Sequence, residues 1–218
     1  MSKPTIISRE NNLWVIDKPS GWVVHPTNDP KMLDLVTWAE EGFPEARGIA
    51  PINRIDRQTS GVVLMSPDPD LRGDLGRYFA DAQVKKEYRA LVYGQTDKSA
   101  LRERKTIDTP LEDRRRGKPL SATTHYETLE VFVSCSYLRV FPETGRKHQI
   151  RRHLQGANHA VVGEKRYKPK KFLRVPGFPG RLWLHARWLQ LPDGREFSAE
   201  LPRKLRDHLH LMRTMKSE

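Results

Sequence analysis

Asn53-Arg-Ile-Asp-Arg-Gln-Thr-Ser-Gly61 runs directly into Val62-Val-Leu-Met65. One acid, two arginines and two hydroxyls share a turn-prone stretch, and the apolar run behind it is bounded by Gly61 and by Ser66-Pro-Asp-Pro-Asp70. That run reads as a strand, and a loop anchored by a strand is a rigid place to hold a reacting group. Taken alone, the loop has a plainer reading: Asp56 closes an Asx-type turn with Thr59 or Ser60 while Arg54 and Arg57 face water. The rest of the chain decides between them.

Upstream, Leu13-Trp-Val-Ile16 is a short strand that stops at Asp17-Lys-Pro-Ser-Gly21, and the run Gly21-Trp-Val-Val24 ends at His25-Pro26. Leu35, Trp38 and Ala39 recur at helical spacing over 34–41, with Asp34 as the N-cap and Gly42 as the stop. Downstream, Leu71, Leu75, Tyr78, Phe79 and Ala82 mark a helix starting at 71, and Tyr88-Arg-Ala-Leu-Val-Tyr93 alternates as a strand. Residues 97–121 carry many charges, among them Glu112-Asp-Arg-Arg-Arg-Gly-Lys118, and read as an exposed loop or hairpin. Two strands over 123–133 and 136–141 lead through Pro142-Glu-Thr-Gly145 into a short helix at 147–154. Prolines and glycines exclude a continuous helix over 164–181, 183–191 is a strand or a buried helix, and Asp193-Gly194 turns into a last strand at 196–199. A basic helix over about 201–212 closes the chain, and with no repeat or linker a single domain over 1–218 is expected.

The formal charge of +12, from 39 Lys and Arg against 27 Asp and Glu, creates a field that attracts polyanions. RNA or DNA is the natural partner. The one cysteine, Cys135, rules out an internal disulfide and any multi-cysteine zinc site, and its apolar neighbours make it a buried strand residue. The first ten residues lack the apolar core of a secretory signal, and no stretch is long enough to cross a bilayer. A soluble cytoplasmic protein is expected.

Motifs in family order along the chain then resemble the RluA-type pseudouridine synthase family. Arg54, Asp56, Thr59, Ser60 and Gly61 match its His-Arg-Leu-Asp-x-x-Thr-Ser-Gly signature, with Ile55 for leucine and Asn53 where a histidine is usual. Asp17 to Pro26 is similar to a Lys-Pro-x-Gly-x-x-x-His-Pro element that shapes the site, and Lys85 to Gly94 is similar to a strand that carries the active-site tyrosine. Thr144-Gly-Arg-Lys-His-Gln-Ile-Arg-Arg-His153 matches almost throughout, and Gly163 in Val161-Val-Gly-Glu164 and Leu184-His-Ala186 follow in family order. The likeness spans about 13–190. It implies an α+β fold, a central mixed, largely antiparallel sheet flanked by helices, and a compact catalytic domain without an N-terminal S4 module.

The same resemblance implies the roles of the site residues. Asp56 is the catalytic carboxylate, acting as nucleophile at C1′ or as base at C2′ of the ribose; Tyr88 is the active-site tyrosine, and Arg151 the cation that partners Asp56. On a helix over 147–154, Ile150 and Leu154 face the core while His148 and Arg151 share an adjoining face. Uracil in an RNA helix is reached only by extrusion, so Arg54, with Arg57 beside it, is a candidate to fill the gap or hold a phosphate. Lys147, His148, Arg152, Lys165, Arg166 and Lys168 are further RNA-contact candidates, with Lys170, Lys171 and the run from Arg114 to Lys118, and Tyr167 and Phe172 are placed to stack on unpaired bases.

Rearranging uridine involves no redox change, so neither cofactor nor metal is called for. The expected partner is tRNA or large-subunit rRNA, with no membrane and no obligatory protein partner. Two other readings exist: a catalytically silent RNA-binding or RNA-chaperone protein on the same fold, motivated by Asn53, and a metal-dependent nuclease, for which His148 and His153 lack ligand spacing and acidic company.

Overall fold

The computed structural model describes residues 2–113, 117–171 and 173–215. Along the chain run β1 (Thr5–Glu10), β2 (Leu13–Lys18), α1 (Leu35–Gly42), β3 (Ala50–Pro51), β4 (Ser60–Ser66), α2 (Pro69–Ala80) and β5 (Lys85–Tyr93). Then follow β6 (Arg104–Ile107), β7 (Leu111–Asp113), β8 (Lys118–Leu120), β9 (Thr124–Val131), β10 (Cys135–Pro142), α3 (Gln149–Gly156), β11 (Leu184–Gln190), β12 (Glu196–Ser198) and α4 (Arg203–Thr214). The ladders β1–β2, β2–β4, β5–β10 and β9–β10 are antiparallel, whereas single bridges at Val23–Asp34 and Leu101–Thr128 are parallel. This is the α+β class with mixed, largely antiparallel pairing that the motifs implied. By contacts the chain gathers into two compact units, one comprising the residues up to Lys85 with Ala186–Glu200, the other Lys86–His185 with the residues from Leu201 onward.

In the first unit the strand order is β1-β2-β4-β11, with β3 on β4 and β12 on β11. All seven residues of β4 are buried, which is why the stretch from Val62 to Met65 is apolar without alternation. Val62 and Leu64 join Leu13, Val15, Leu189, Leu191 and Leu75 of α2 in one core. The alternate residues Trp14, Ile16, Val63 and Met65 are buried on the other face, where Trp14 meets Phe43 edge-on at 5.4 Å. Asp34 caps α1 as expected, its Oδ1 accepting the Thr37 N–H at 2.9 Å. Helix α2 starts at Pro69, two residues before the expected 71, because Asp68 is its N-cap and Pro69 sits in its first turn; a turn signal was in fact a helix start. Ala82, assigned to that helix by spacing, lies beyond it with φ +57°.

In the second unit the order is β5-β10-β9-β6, with β7 and β8 as a separate hairpin. Ala90, Val92, Leu138 and Val140 form a core with Ile150 and Leu154 of α3 and Leu205, Leu209 and Met212 of α4. Among the described residues of 97–121, β7 and β8 form the expected hairpin, and β6 in addition pairs with β9, placing Lys105 opposite Tyr126. Arg114, Arg115, Arg116 and Phe172, named above as RNA contacts, lie outside the described residues. The ambiguous 183–191 stretch is strand β11. Helix α4 starts at Arg203 because Pro202 occupies the N-cap.

Candidate active site

The loop that carries Asp56 is built in the first unit. It leaves β3 with Ile52 donating its N–H to Leu64 O at 2.8 Å, and Asn53 Oδ1 then accepts the Leu64 N–H at 2.7 Å. Asn53, the departure from the family pattern, thus ties the loop to β4. Ile55 is buried, Asp56 is half-buried, and Asp56 O accepts the Thr59 N–H at 3.0 Å to close the turn. Arg54 and Arg57 are exposed, and Arg57 reaches Met32 Sδ at 3.4 Å.

The same loop is pinned from its other side. Lys18 is fully buried, and its ammonium donates to Trp22 O at 2.7 Å and to Arg57 O and Pro19 O at 3.2 Å each. Arg57 O also accepts the Gly21 N–H at 2.7 Å, while Ser20 Oγ donates to Gln58 O at 2.7 Å. A buried ammonium is tolerated because it is heavily hydrogen-bonded. Gly61 ends the loop at φ +119°, where a Cβ would stand 2.1 Å from Ala186 O, so only glycine fits.

In the second unit, Tyr88 is half-buried on β5 opposite Val140 and packs against the core. Arg151 is 5% exposed on α3 and grips Glu164 with a fork, Nε to Oε2 at 2.6 Å and Nη2 to Oε1 at 2.8 Å. Burial pushes the Glu164 carboxyl up, but the Arg151 guanidinium and the N–H groups of Arg166 and Tyr167 outweigh it, so its pKa lies below the usual value. Gly163, with φ +83°, makes this placement possible, since a Cβ there would lie 2.4 Å from Arg181 O.

Helix α3 is itself locked. Gln149 Oε1 accepts from Thr144 Oγ1 at 2.7 Å and from the Arg146 N–H at 3.0 Å, and its Nε2 donates to Thr123 O and Thr124 Oγ1. His153 joins Thr124 Oγ1 at 2.9 Å through Nδ1 and Thr109 O at 2.9 Å through Nε2. A carbonyl accepts only, so Nε2 carries the proton and Nδ1 takes the threonine hydroxyl. Burial, the larger influence, holds the His153 pKa below 6.5. His148 precedes the helix in the left-handed region at φ 56°, which is why α3 begins at Gln149.

The sequence-based candidates fare differently. His148 and Arg151 do share a neighbour, Tyr167: His148 Nδ1 lies 2.9 Å from its hydroxyl and the Arg151 guanidinium 5.4 Å from its ring centroid. Tyr167, expected to stack on bases, has its ring centroid 5.4 Å from the Arg151 guanidinium and 5.6 Å from that of Arg166. Lys147, Lys165, Arg166 and Lys168 are exposed, as phosphate contacts need to be. Arg152 is half-buried and donates to Glu112 O at 3.1 Å, holding β7. Lys18, Gln149 and Glu164 were given no role from sequence. All three sat inside quoted motifs, and that position was the available signal. Among the described residues no group of three His, Cys, Asp or Glu is disposed to hold a metal ion, and no helix is long and apolar enough to cross a membrane.

Comparison with known proteins gives this geometry a class. The RNA pseudouridylate synthase family matches residues 12–156, and the chain belongs to it, as an isomerase of that family. The dual-specificity RNA pseudouridine synthase RluA of Haemophilus ducreyi is 34% identical over 209 residues, covering 89% of each protein. Ribosomal large subunit pseudouridine synthase C of Vibrio parahaemolyticus is 33% identical over 192 residues, which are 83% of this chain and 59% of that protein. This chain therefore spans under two thirds of the latter's length. The solved structure of human RNA pseudouridylate synthase domain containing 4 shares the fold at a TM-score of 0.77 and 25% identity, covering 95% of this chain and 92% of its own.

Proposed function

We propose that this protein converts uridine to pseudouridine within structured tRNA or large-subunit rRNA, with Asp56 as the carboxylate that acts on the ribose. The observation that carries this reading is the fixation of the Asp56 loop. Its turn closes on the Thr59 N–H, and the next carbonyl is held by both the Lys18 ammonium and the Gly21 N–H. A reacting group on so fixed a main chain enters the reaction without first being ordered.

The chemistry is a rearrangement. The N1–C1′ bond breaks, the uracil turns, a C5–C1′ bond forms, and the C5 hydrogen leaves as a proton while N1 gains one. Nothing is oxidised, and no cofactor is required for the balance. Asp56 serves this as nucleophile at C1′ or as base at C2′. The uridine is everted for attack, and the half-buried Tyr88 ring is our candidate to receive the base. Arg151 is assigned as the cation that partners Asp56 in the reaction. Arg54, Arg57 and His148 are assigned to the everted nucleotide and its phosphates. Exposed Lys147, Lys165, Arg166 and Lys168 supply phosphate contacts in keeping with the +12 charge, and Arg152 contributes the field of its partly covered guanidinium. Substrates of this kind place the protein's work in the cytoplasm.

Incubation with RNA tritiated at C5 of uridine tests the reading. Label released to water, with pseudouridine in the digested RNA, is the expected result. Binding without release across total tRNA and rRNA would indicate a silent RNA-binding protein instead.

A further inference from the structure

We infer that Glu164 is a positioning residue: one buried carboxylate orients the Arg151 guanidinium and also holds the start of the basic loop 165–168, so that RNA docking and the arginine's aim are mechanically joined. This rests on the role proposed above for Arg151.

Three observations carry it. The Glu164 side chain is wholly buried and that of Arg151 is 6% exposed, and the two meet in a two-point fork at 2.6 and 2.8 Å. A guanidinium is planar, so fixing its Nε–Nη2 edge also sets the direction of its other edge. The same Glu164 Oε1 accepts the Arg166 N–H at 2.8 Å and the Tyr167 N–H at 3.2 Å. One oxygen therefore serves both the arginine and the loop. Finally, the loop returns to its starting helix: the Tyr167 ring lies 5.4 Å from Arg151, and the Tyr167 hydroxyl lies 2.9 Å from His148 Nδ1 at the head of α3.

A buried ion pair is a poor device for stability alone, because desolvation offsets most of its attraction. It is a good device for direction. The carboxyl is also kept ionised, since burial pushes its pKa up but the Arg151 fork and the two backbone N–H groups bring it below the usual value. Lysine in place of Arg151 would keep charge and lose the fork. The lining of the pair thus favours orientation over charge.

The test compares single-turnover rate with RNA affinity for Glu164→Gln, at a temperature where circular dichroism reports the native fold. Glutamine still accepts the two backbone N–H groups, but its amide opposes an Arg151 donor. We expect the rate of tritium release to fall about 100-fold, the penalty typical of a misaimed group, with Kd for RNA changed by less than about three-fold. In the double variant with Arg151→Lys the two losses should not multiply, because both act on one group. Should Glu164→Gln fail to fold, Glu164→Asp keeps the charge one bond shorter, and a roughly 10-fold slower release with native affinity is expected. A rate within three-fold of the parent in the folded variant, losses that multiply, or a loss confined to affinity would each overturn the inference. Asp56→Ala runs alongside: if it is inactive and Glu164→Gln is not, only the positioning role falls; if Asp56→Ala is active, the reading beneath it falls too.

Discussion

Two polar clusters hold the assigned residues, and they do it by opposite means. Around Asp56 the main chain is held, with carbonyls of residues 56–58 taken by Thr59, Lys18, Gly21 and Ser20. Around Arg151 the side chains hold one another, through Glu164, Tyr167 and the α3 network of Gln149 and His153. The difference tracks the length of the group to be aimed. An aspartate has two rotatable side-chain bonds, so fixing its backbone nearly fixes its oxygens. An arginine has four, and its head must be gripped directly.

Breaking the first cluster should have the larger effect on the fold. Lys18→Met deprives the Trp22, Arg57 and Pro19 carbonyls of a buried donor, and a loss of about 3 kcal/mol in urea unfolding is expected, together with activity. An unfolding midpoint unchanged from the parent would mean that the loop is held by other contacts.

Acid should act chiefly on the second unit. Trp183 Nε1 donates to His208 Nδ1 at 3.0 Å and His208 Nε2 donates to Pro176 O at 2.8 Å, so the neutral ring is the form that fits. Burial, partly offset by the Pro176 bond, lowers the His208 pKa from 6.5, and burial is likewise the first influence on His153 and His159. With each pKa lower in the folded state, the unfolded chain takes up protons first. Their contribution is therefore fully present above 6.5 and is lost as pH falls through the folded values. Urea midpoints should be flat above neutrality and decline below it, with a slope of up to about 1.4 kcal/mol per pH unit for each histidine. His208→Gln should flatten that slope; an unaltered slope would contradict the assignment.

The smallest expected effect on stability comes from the exposed cations. Lys165→Ala and Lys168→Ala should leave unfolding within about 0.5 kcal/mol and each reduce the salt dependence of RNA binding by roughly one counterion. An unchanged salt slope in the folded variants would remove this loop from the RNA contacts.

Much of this was legible in the sequence where the cause is local. Within β4 the run from Val62 to Met65 is apolar at every position because both its faces are covered, and Asp34 caps the helix α1 that it precedes. Residues whose role depends on distant partners were not legible. β1 has a mostly exposed, irregular pattern with no apolar stripe, and is set by its pairing with β2. Lys18 belongs to the residue type least often buried, and the acceptors that make its burial tolerable include the carbonyl of Arg57, far along the chain. Glu164 is thirteen residues from Arg151, beyond any helical or strand spacing. Asp68-Pro69 misled because a turn and a helix N-terminus draw on the same residues.

The central assignment is tested most directly by Asp56→Ala, scored for pseudouridine in the product and for RNA affinity on the same preparation. No detectable product is expected, with Kd within a few fold of the parent, because the carboxylate acts on the everted sugar and not in docking. Undiminished product formation by this variant would contradict it.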